Sequence, residues 1–201
     1  MLSLIMSNSG FTIAILAGGK NRRFGGEIKA LQYFRGKRIL QHLLDTCTPL
    51  SNDVFIVANQ TNAFRDYKVP VISDVFPDSG PLGGIHAALT VARHDWTLLL
   101  ASDMPEVSAK EINYLYSQIT DNCSALLPCH HNQCHPLHAM YHKSVLAEIE
   151  STLKHSNSLS LQMFTDSIAA KNVEVRNPAS YVNINTPEDL NHYEKSIHYK
   201  G

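Results

Sequence analysis

Short apolar runs alternate with helix-length segments along most of this chain, and that alternation limits the fold more than any other feature. Phe11–Leu16 is a continuous apolar run that ends in Ala-Gly-Gly. A run this short, closed by glycine, reads as a strand buried on both faces. Asp53–Ala58, Val69–Ser73 and Trp96–Ala101 read as three more strands. Between them, Arg38–Cys47 puts Ile39, Leu40, Leu43, Leu44 and Cys47 on one helical face. Gly84–Ala92 spaces Ile85, Ala88, Leu89 and Ala92 in the same way, after the turn-rich Pro77–Gly83. Parallel strands need crossovers, and these helices supply them. The expected object is a twisted, mostly parallel sheet between helical layers, with ligands beyond the carboxyl ends of its strands.

Further along, Ser108 and Glu111 form a capping box that opens a helix through Ile119. Ser124–Pro128 and Leu137–Tyr141 read as a strand pair around the loop CHHNQCHP. Val145, Leu146, Ile149 and Leu153 mark another helix. Thr186 is the N-cap of the last one, with Pro187 at its first helical position. One domain over 11–195 is expected, with flexible termini at 1–10 and 196–201. A formal net charge of −1 argues against a bulk polyanion binder, so no nucleic-acid partner is expected. No apolar run is long enough to span a bilayer, and MLSLIMSNSG lacks the charged leader of a secretory signal. The four cysteines then read as reduced thiols of a cytoplasmic protein.

The first strand runs straight into LAGGKNRRFGGEIKAL, Leu16–Leu31. Gly18 and Gly19 open backbone conformations closed to other residues, and successive amides in such a turn make a concave anion site. Arg23 adds a planar fork for phosphate oxygens and Lys29 a point charge. The combination suits a polyphosphate better than a single carboxylate; the plainer account is a turn with solvated basic residues. Neither the Walker pattern nor GxGxxG occurs here. The fourth strand, in TLLLASDMP, ends in Ser102-Asp103 and sets Asp103 at the same edge as the glycine loop. A carboxylate there can hold Mg²⁺ beside phosphate oxygens, or cap a turn. A phosphate loop and an acid at one edge favour metal–nucleotide chemistry.

These residues resemble a known family. LAGGKNRRFGGEIKAL is similar to the L-A-G-G-x-[SA]-x-R-[MF]-G-G-x-[DP]-K signature of the molybdenum cofactor guanylyltransferases. DSGPLGGIHAAL, LLLASDMP and YVNINTPEDL resemble three further segments of that family, in the same order, from Leu16 to Leu190. Asn21 stands where the family often has serine or alanine, and Ile28 where it often has an acid, with Glu27 one place earlier. The resemblance implies a three-layer α/β/α, Rossmann-like nucleotidyltransferase fold. It also implies transfer of GMP from GTP to the terminal phosphate of molybdopterin, with release of pyrophosphate. Under it, Arg23 and Lys29 carry phosphate charge, backbone groups of Leu16, Ala17, Gly18 and Gly19 assist and hold the base, and Asp103 takes Mg²⁺. Asp74 becomes a ribose or metal-shell contact, or a turn acid. Asn59 becomes a guanine contact, or an ordinary turn residue. On the pterin side stand His135, Asn183 and Asn185, the last two on one face of a short strand. Under the resemblance one of the two asparagines completes the metal shell and the other contacts the second substrate, or Asn185 only shapes the turn before the last helix. Transient contact with cofactor-delivery proteins or molybdoenzymes also follows from the resemblance.

Two other classes share parts of this pattern. A relative using CTP on molybdopterin, or acting on a sugar phosphate, would share the loop, but CTP users usually carry L-A-A-G there. A non-catalytic nucleotide-binding regulator need not keep Arg23, Lys29 and Asp103 together. The run Cys129–His138 has zinc-ligand residue types, but its spacing matches no standard finger, and a polar loop between strands accounts for it. Cys47 reads as core, and Trp96 as packing at a strand edge.

Overall fold

The structure, a computed structural model, describes residues 10–18, 27–76, 79–155 and 161–198. An eight-stranded sheet forms its centre. The first four strands are β1 (Thr12–Leu16), the short β2 and β3 (Tyr33–Phe34, Lys37–Arg38) and β4 (Val54–Val57). Then come β5 (Val71–Ile72), β6 (Trp96–Ala101), β7 (Ala125–His130), β8 (Gln133–Cys134), β9 (Met140–His142) and β10 (Ala170–Glu174). The sheet order is β10-β7-β9-β6-β1-β4-β5, with β8 paired to β7 and the β2–β3 hairpin standing apart. β1 lies parallel to β4 and β6, β4 to β5, and β7 to β10. Within this sheet, β9 and β8 run against their neighbours.

Six helices cover the two faces: α1 (Ile39–Cys47), α2 (Gly80–Val91), α3 (Ala109–Tyr116), α4 (Leu146–His155), α5 (Leu161–Ser167) and α6 (Pro187–His198). Because side chains alternate along a strand, each strand feeds two cores. Ile13, Ile15, Ile56, Leu98 and Leu100 pack with α1 and α3. Ala14, Phe55, Val57 and Leu99 pack with Leu82, Ile85 and Leu89 of α2, Ile149 of α4 and Phe164 of α5. This is the three-layer arrangement that the alternation of elements predicts. No helix among the described residues is long and apolar enough to cross a membrane.

Several boundaries differ from the sequence-based expectation. β6 covers the predicted residues, but α2 starts four residues early, so that the GPLGG stretch forms its first turn rather than a loop. Proline is welcome there, since Pro81 falls where helical N–H groups have no partner anyway. Ser108 caps α3 by accepting the Glu111 amide, but the Glu111 carboxylate accepts the Arg176 amide instead of turning back to close the box. At α6 the reciprocal pair does form: Thr186 Oγ1 accepts the Asp189 amide, and Asp189 Oδ2 accepts the amides of Asn185 and Thr186. Asn183 and Asn185 do not sit on a strand; residues 182–185 have no regular secondary structure and are tied by a 2.7 Å bond from the Ile184 amide to the Asp103 carbonyl.

The cysteine expectation also needs correcting. Cys129 and Cys134 are joined by a disulfide, and only Cys47 and Cys123 are free. The reason is register. His131 and Asn132 turn the chain with positive φ of 47° and 63°, so a two-residue hairpin sets Cys129 directly opposite Cys134. A count of cysteines cannot see that pairing.

Candidate active site

Beyond the carboxyl ends of β1, β4, β5 and β6 lies a cleft of about 700 Å³. Each strand delivers residues to it as it leaves the sheet: Leu16, Ala17 and Gly18 from β1, Asn59 after β4, Asp74 after β5, and Ser102 and Asp103 after β6. Lys29 enters from the 3-10 turn Lys29–Leu31, and the first turn of α2 closes the remaining side. The expected site residues Leu16, Ala17, Gly18, Lys29, Asn59, Asp74 and Asp103 therefore share one cavity. Arg23 and Gly19 lie outside the described residues.

The acid after β6 sits in an unusual environment. Asp103 Oδ1 is buried and has no hydrogen-bond partner among the described residues. Nε2 of His138 lies 3.5 Å away, too far for a good hydrogen bond. That nitrogen lies 3.0 Å from the Ala101 carbonyl, which can only accept, so it carries the proton. His138 is 2% exposed, and burial pushes its pKa down to about 4 despite the neighbouring Asp103. The imidazole is thus neutral at ordinary pH and brings no positive charge to Asp103. Lys29 is close enough to oppose protonation of His138 as well. Nothing in the sequence marks His138 as part of the site; only its meeting with Ala101 and Asp103 does.

Across the cleft, Asp74 is held from both ends. Its amide donates to Asn59 Oδ1 at 3.0 Å, and its Oδ1 accepts the Phe76 amide at 2.8 Å. Burial raises its pKa, opposed by the Phe76 amide and by His86. The Phe76 ring stands edge-on to His86 of α2, with centroids 4.8 Å apart. Gly83 makes room for the carboxylate: a Cβ there would come within 2.4 Å of Asp74 Oδ2. Asn59 therefore spends one acceptor position on the chain itself. The backbone of the first strand is committed too, since the Ala17 amide donates to the Val57 carbonyl and the Leu16 carbonyl accepts the Ser102 amide. These bonds fix the strand ends that the loop departs from.

Comparison with known proteins identifies the arrangement. Residues 13–169 match the MobA-like NTP transferase domain. The molybdenum cofactor guanylyltransferase of Vibrio cholerae is 33% identical over 181 residues, 88% of this chain and 87% of the relative. The chain belongs to the molybdenum cofactor guanylyltransferase family. As a family member it is a nucleotidyltransferase. The guanylyltransferase of Yersinia pseudotuberculosis is 32% identical over 92% of this chain and 95% of its own. Among solved structures, molybdopterin-guanine dinucleotide biosynthesis protein A from Archaeoglobus fulgidus superposes with a TM-score of 0.80 at 26% identity, covering 94% of this chain and all of that one. A nucleotidyl transferase from Methanothermobacter, at 15% identity and a TM-score of 0.74, shares the fold.

In this guanylyltransferase-family chain a second, smaller pocket of about 320 Å³ lies between the β7–β8 hairpin and the 3-10 turn Pro178–Tyr181. His135 and Asn183 line it. The His135 ring stacks on Tyr181 at 5.1 Å, and burial lowers its pKa, with Asp103 pulling the other way. That mutual influence puts His135 near the acid of the main cleft. Asn185 lines neither pocket; its amide serves the start of α6. No group of three or more His, Cys, Asp or Glu side chains among the described residues is arranged to hold a metal, and two of the zinc-type residues, Cys129 and Cys134, are spent on each other.

Proposed function

We propose that this chain transfers GMP from GTP to the terminal phosphate of molybdopterin, with pyrophosphate as the leaving group. The observation that carries the reading is the meeting, in one cleft at the ends of parallel strands, of Lys29 with a buried Asp103 oxygen that has no hydrogen-bond partner among the described residues. An oxygen of the acceptor phosphate attacks the α-phosphorus of GTP, and the bond from that phosphorus to the bridging oxygen breaks. The acceptor brings its own nucleophile, so the protein's work is to bring two polyanions together and offset their charge. Lys29 and Arg23 supply positive charge to the triphosphate. Gly18 and Gly19 let the backbone approach it closely. Asn59 and the end of β1 face the base, and Asp74 the ribose.

The donor set at Asp103 fits Mg²⁺, which takes one or two carboxylates and completes its shell with phosphate oxygens and water. An under-satisfied carboxylate oxygen beside a neutral histidine is what such an ion would relieve. When bound, Mg²⁺ supplies charge neutralisation at the phosphates. Asn185 is the further candidate for its shell. The acceptor occupies the side of Asp103 toward His135 and Asn183, and the reaction belongs in the cytoplasm, where the product passes to delivery or recipient proteins by transient contact. Pyrophosphate release should require GTP and molybdopterin together. In thermal unfolding with Mg²⁺, GTP should stabilise the chain more than CTP, ATP or UTP, because a ligand stabilises the state it binds. Stabilisation by CTP alone would move the assignment to a cytidylyltransferase.

A further inference from the structure

The β8 arm of the β7–β8 hairpin is weakly held apart from its covalent bond, whereas the β7 arm pairs with β10 and His130 Nδ1 lies 3.1 Å from Glu174 Oε1. Only two residue pairs join the strands, Cys129 with Cys134 and His130 with Gln133, followed by one bond from the His135 amide to the Pro128 carbonyl. Its turn residues, His131 and Asn132, both adopt left-handed backbone that glycine would take at no steric cost. A two-stranded ribbon of this size is marginal on its own. The tip nevertheless forms one wall of the second pocket, through His130, His131, Gln133 and His135, against Tyr181 and Asn183. The disulfide closes the base of that wall. Cys129 is buried, whereas Cys134 is only partly buried, packed along one side against the core.

We infer that Cys129 and Cys134 form a reversible thiol–disulfide site that sets the shape of the second pocket. A soluble dithiol is the reductant. One of its thiolates attacks the sulfur of Cys134, the less buried of the two residues, the Cys129–Cys134 bond breaks, and Cys129 leaves as a thiolate that takes up a proton. The second thiol of the reductant then displaces Cys134 from the mixed disulfide. Cys134 leaves as a thiol, and the reductant ends as its own disulfide, so two electrons and two protons pass to the protein. The freed hairpin no longer holds His131 and Asn132 in their left-handed turn, and the histidine wall loosens. The nucleotide cleft does not depend on this bond. Its walls come from β1, β4, β5 and β6, the Lys29–Leu31 turn and the first turn of α2, and Leu137, a lining residue that follows the hairpin, is held by the Ala101 amide, as Ala139 is by the Leu99 amide. The effect on acceptor affinity rests on the guanylyltransferase reading above; the effect on the histidines does not.

The test uses the full chain, oxidised or treated with dithiothreitol, and the double variant C129S/C134S. Thiols counted in denaturant should number two in the oxidised chain and four after reduction. Imidazole resonances of His130, His131 and His135 should shift on reduction, while those of His42 and His86 stay in place. The KM for molybdopterin should rise roughly three- to tenfold, as expected if reduction leaves the competent pocket populated at about a tenth to a third. The KM for GTP should hold. The double variant should resemble the reduced chain and ignore the reductant. Four thiols under oxidising conditions, unmoved hairpin imidazoles, or turnover with an unchanged molybdopterin KM would each overturn the inference. If the imidazoles shift but neither redox form converts molybdopterin, the acceptor assignment fails and the thiol–disulfide site stands.

Discussion

Replacing Gly83 by alanine should separate the stability of this protein from its activity. The new Cβ would lie 2.4 Å from Asp74 Oδ2, 2.9 Å from Oδ1 and 3.0 Å from Cγ. An ordinary carbon–oxygen approach is about 3.3 Å, so the carboxylate must retreat by about 0.9 Å. That movement breaks the 2.8 Å bond from the Phe76 amide, which costs about 1 kcal/mol. Against this, Gly83 sits inside α2 with ordinary helical backbone, and alanine there gains about 0.8–1 kcal/mol in helix propensity. The two nearly cancel, and the unfolding midpoint should move by no more than about 4 °C. The cleft fares differently. A displacement near 1 Å at a positioning group can cost about a hundredfold in rate, so kcat/KM for pyrophosphate release should fall roughly ten- to a hundredfold. Differential scanning fluorimetry and a coupled pyrophosphate assay on the same preparation would measure both. Full activity at an unchanged midpoint would show that the position of the Asp74 carboxylate does not matter to the reaction.

Other substitutions probe the remaining groups. Asp103→Asn removes the charge but keeps the shape, and should weaken Mn²⁺ binding in the presence of GTP, read by electron paramagnetic resonance, by at least about tenfold; unaltered binding would take Asp103 out of the metal site. Lys29→Ala should lower turnover sharply with the fold intact by circular dichroism, and normal turnover would remove it from the mechanism. At the opposite end of the sheet, buried Asp53 accepts the Thr12 hydroxyl at 2.6 Å and the Arg93 amide at 2.9 Å. Asp53→Ala should cost about 2–4 kcal/mol in urea unfolding and leave both KM values alone. His138 supplies a pH signature. Its pKa of about 4 lies below the ordinary 6.5, so the unfolded chain takes up the proton first, and stability present above pH 6.5 is lost as the pH falls toward 4. The loss amounts to about 3 kcal/mol. His138→Phe should flatten that slope in metal-free unfolding curves, and an unchanged slope would show that another group titrates.

The parts of the fold legible in the sequence are those set by burial. β6 is buried nearly along its whole length, and its apolar run gives its limits directly. Once the sheet is parallel, the residues that follow β1 and β6 must gather at one edge, which is why Gly18 and Asp103 are expected together from the sequence, whereas Asn59 and Asp74 join them only through the family resemblance. β10 went unread because it is an edge strand with only Val173 buried, so its sequence, AKNVE, carries no apolar signal. The hairpins β2–β3 and β7–β8 are two pairs each and depend on left-handed turns, at Arg35-Gly36 and His131-Asn132, that local composition does not announce. Contacts between distant segments were out of reach altogether. The fit of Asp74 against Gly83, and of His138 beneath Asp103, exists only after the strands and helices have packed.

β9 runs opposite to the strands on either side of it. The segment leading into it therefore arrives at the rim where the other strands depart, and it is stitched to the end of β6 by the Ala101 and Leu99 amides. That return stitch insulates the rim from whatever follows β9. The spacing between Asp103 and His135 is thereby set by β6 and the segment leading into β9, while α4 and α5 answer for the core beneath α2.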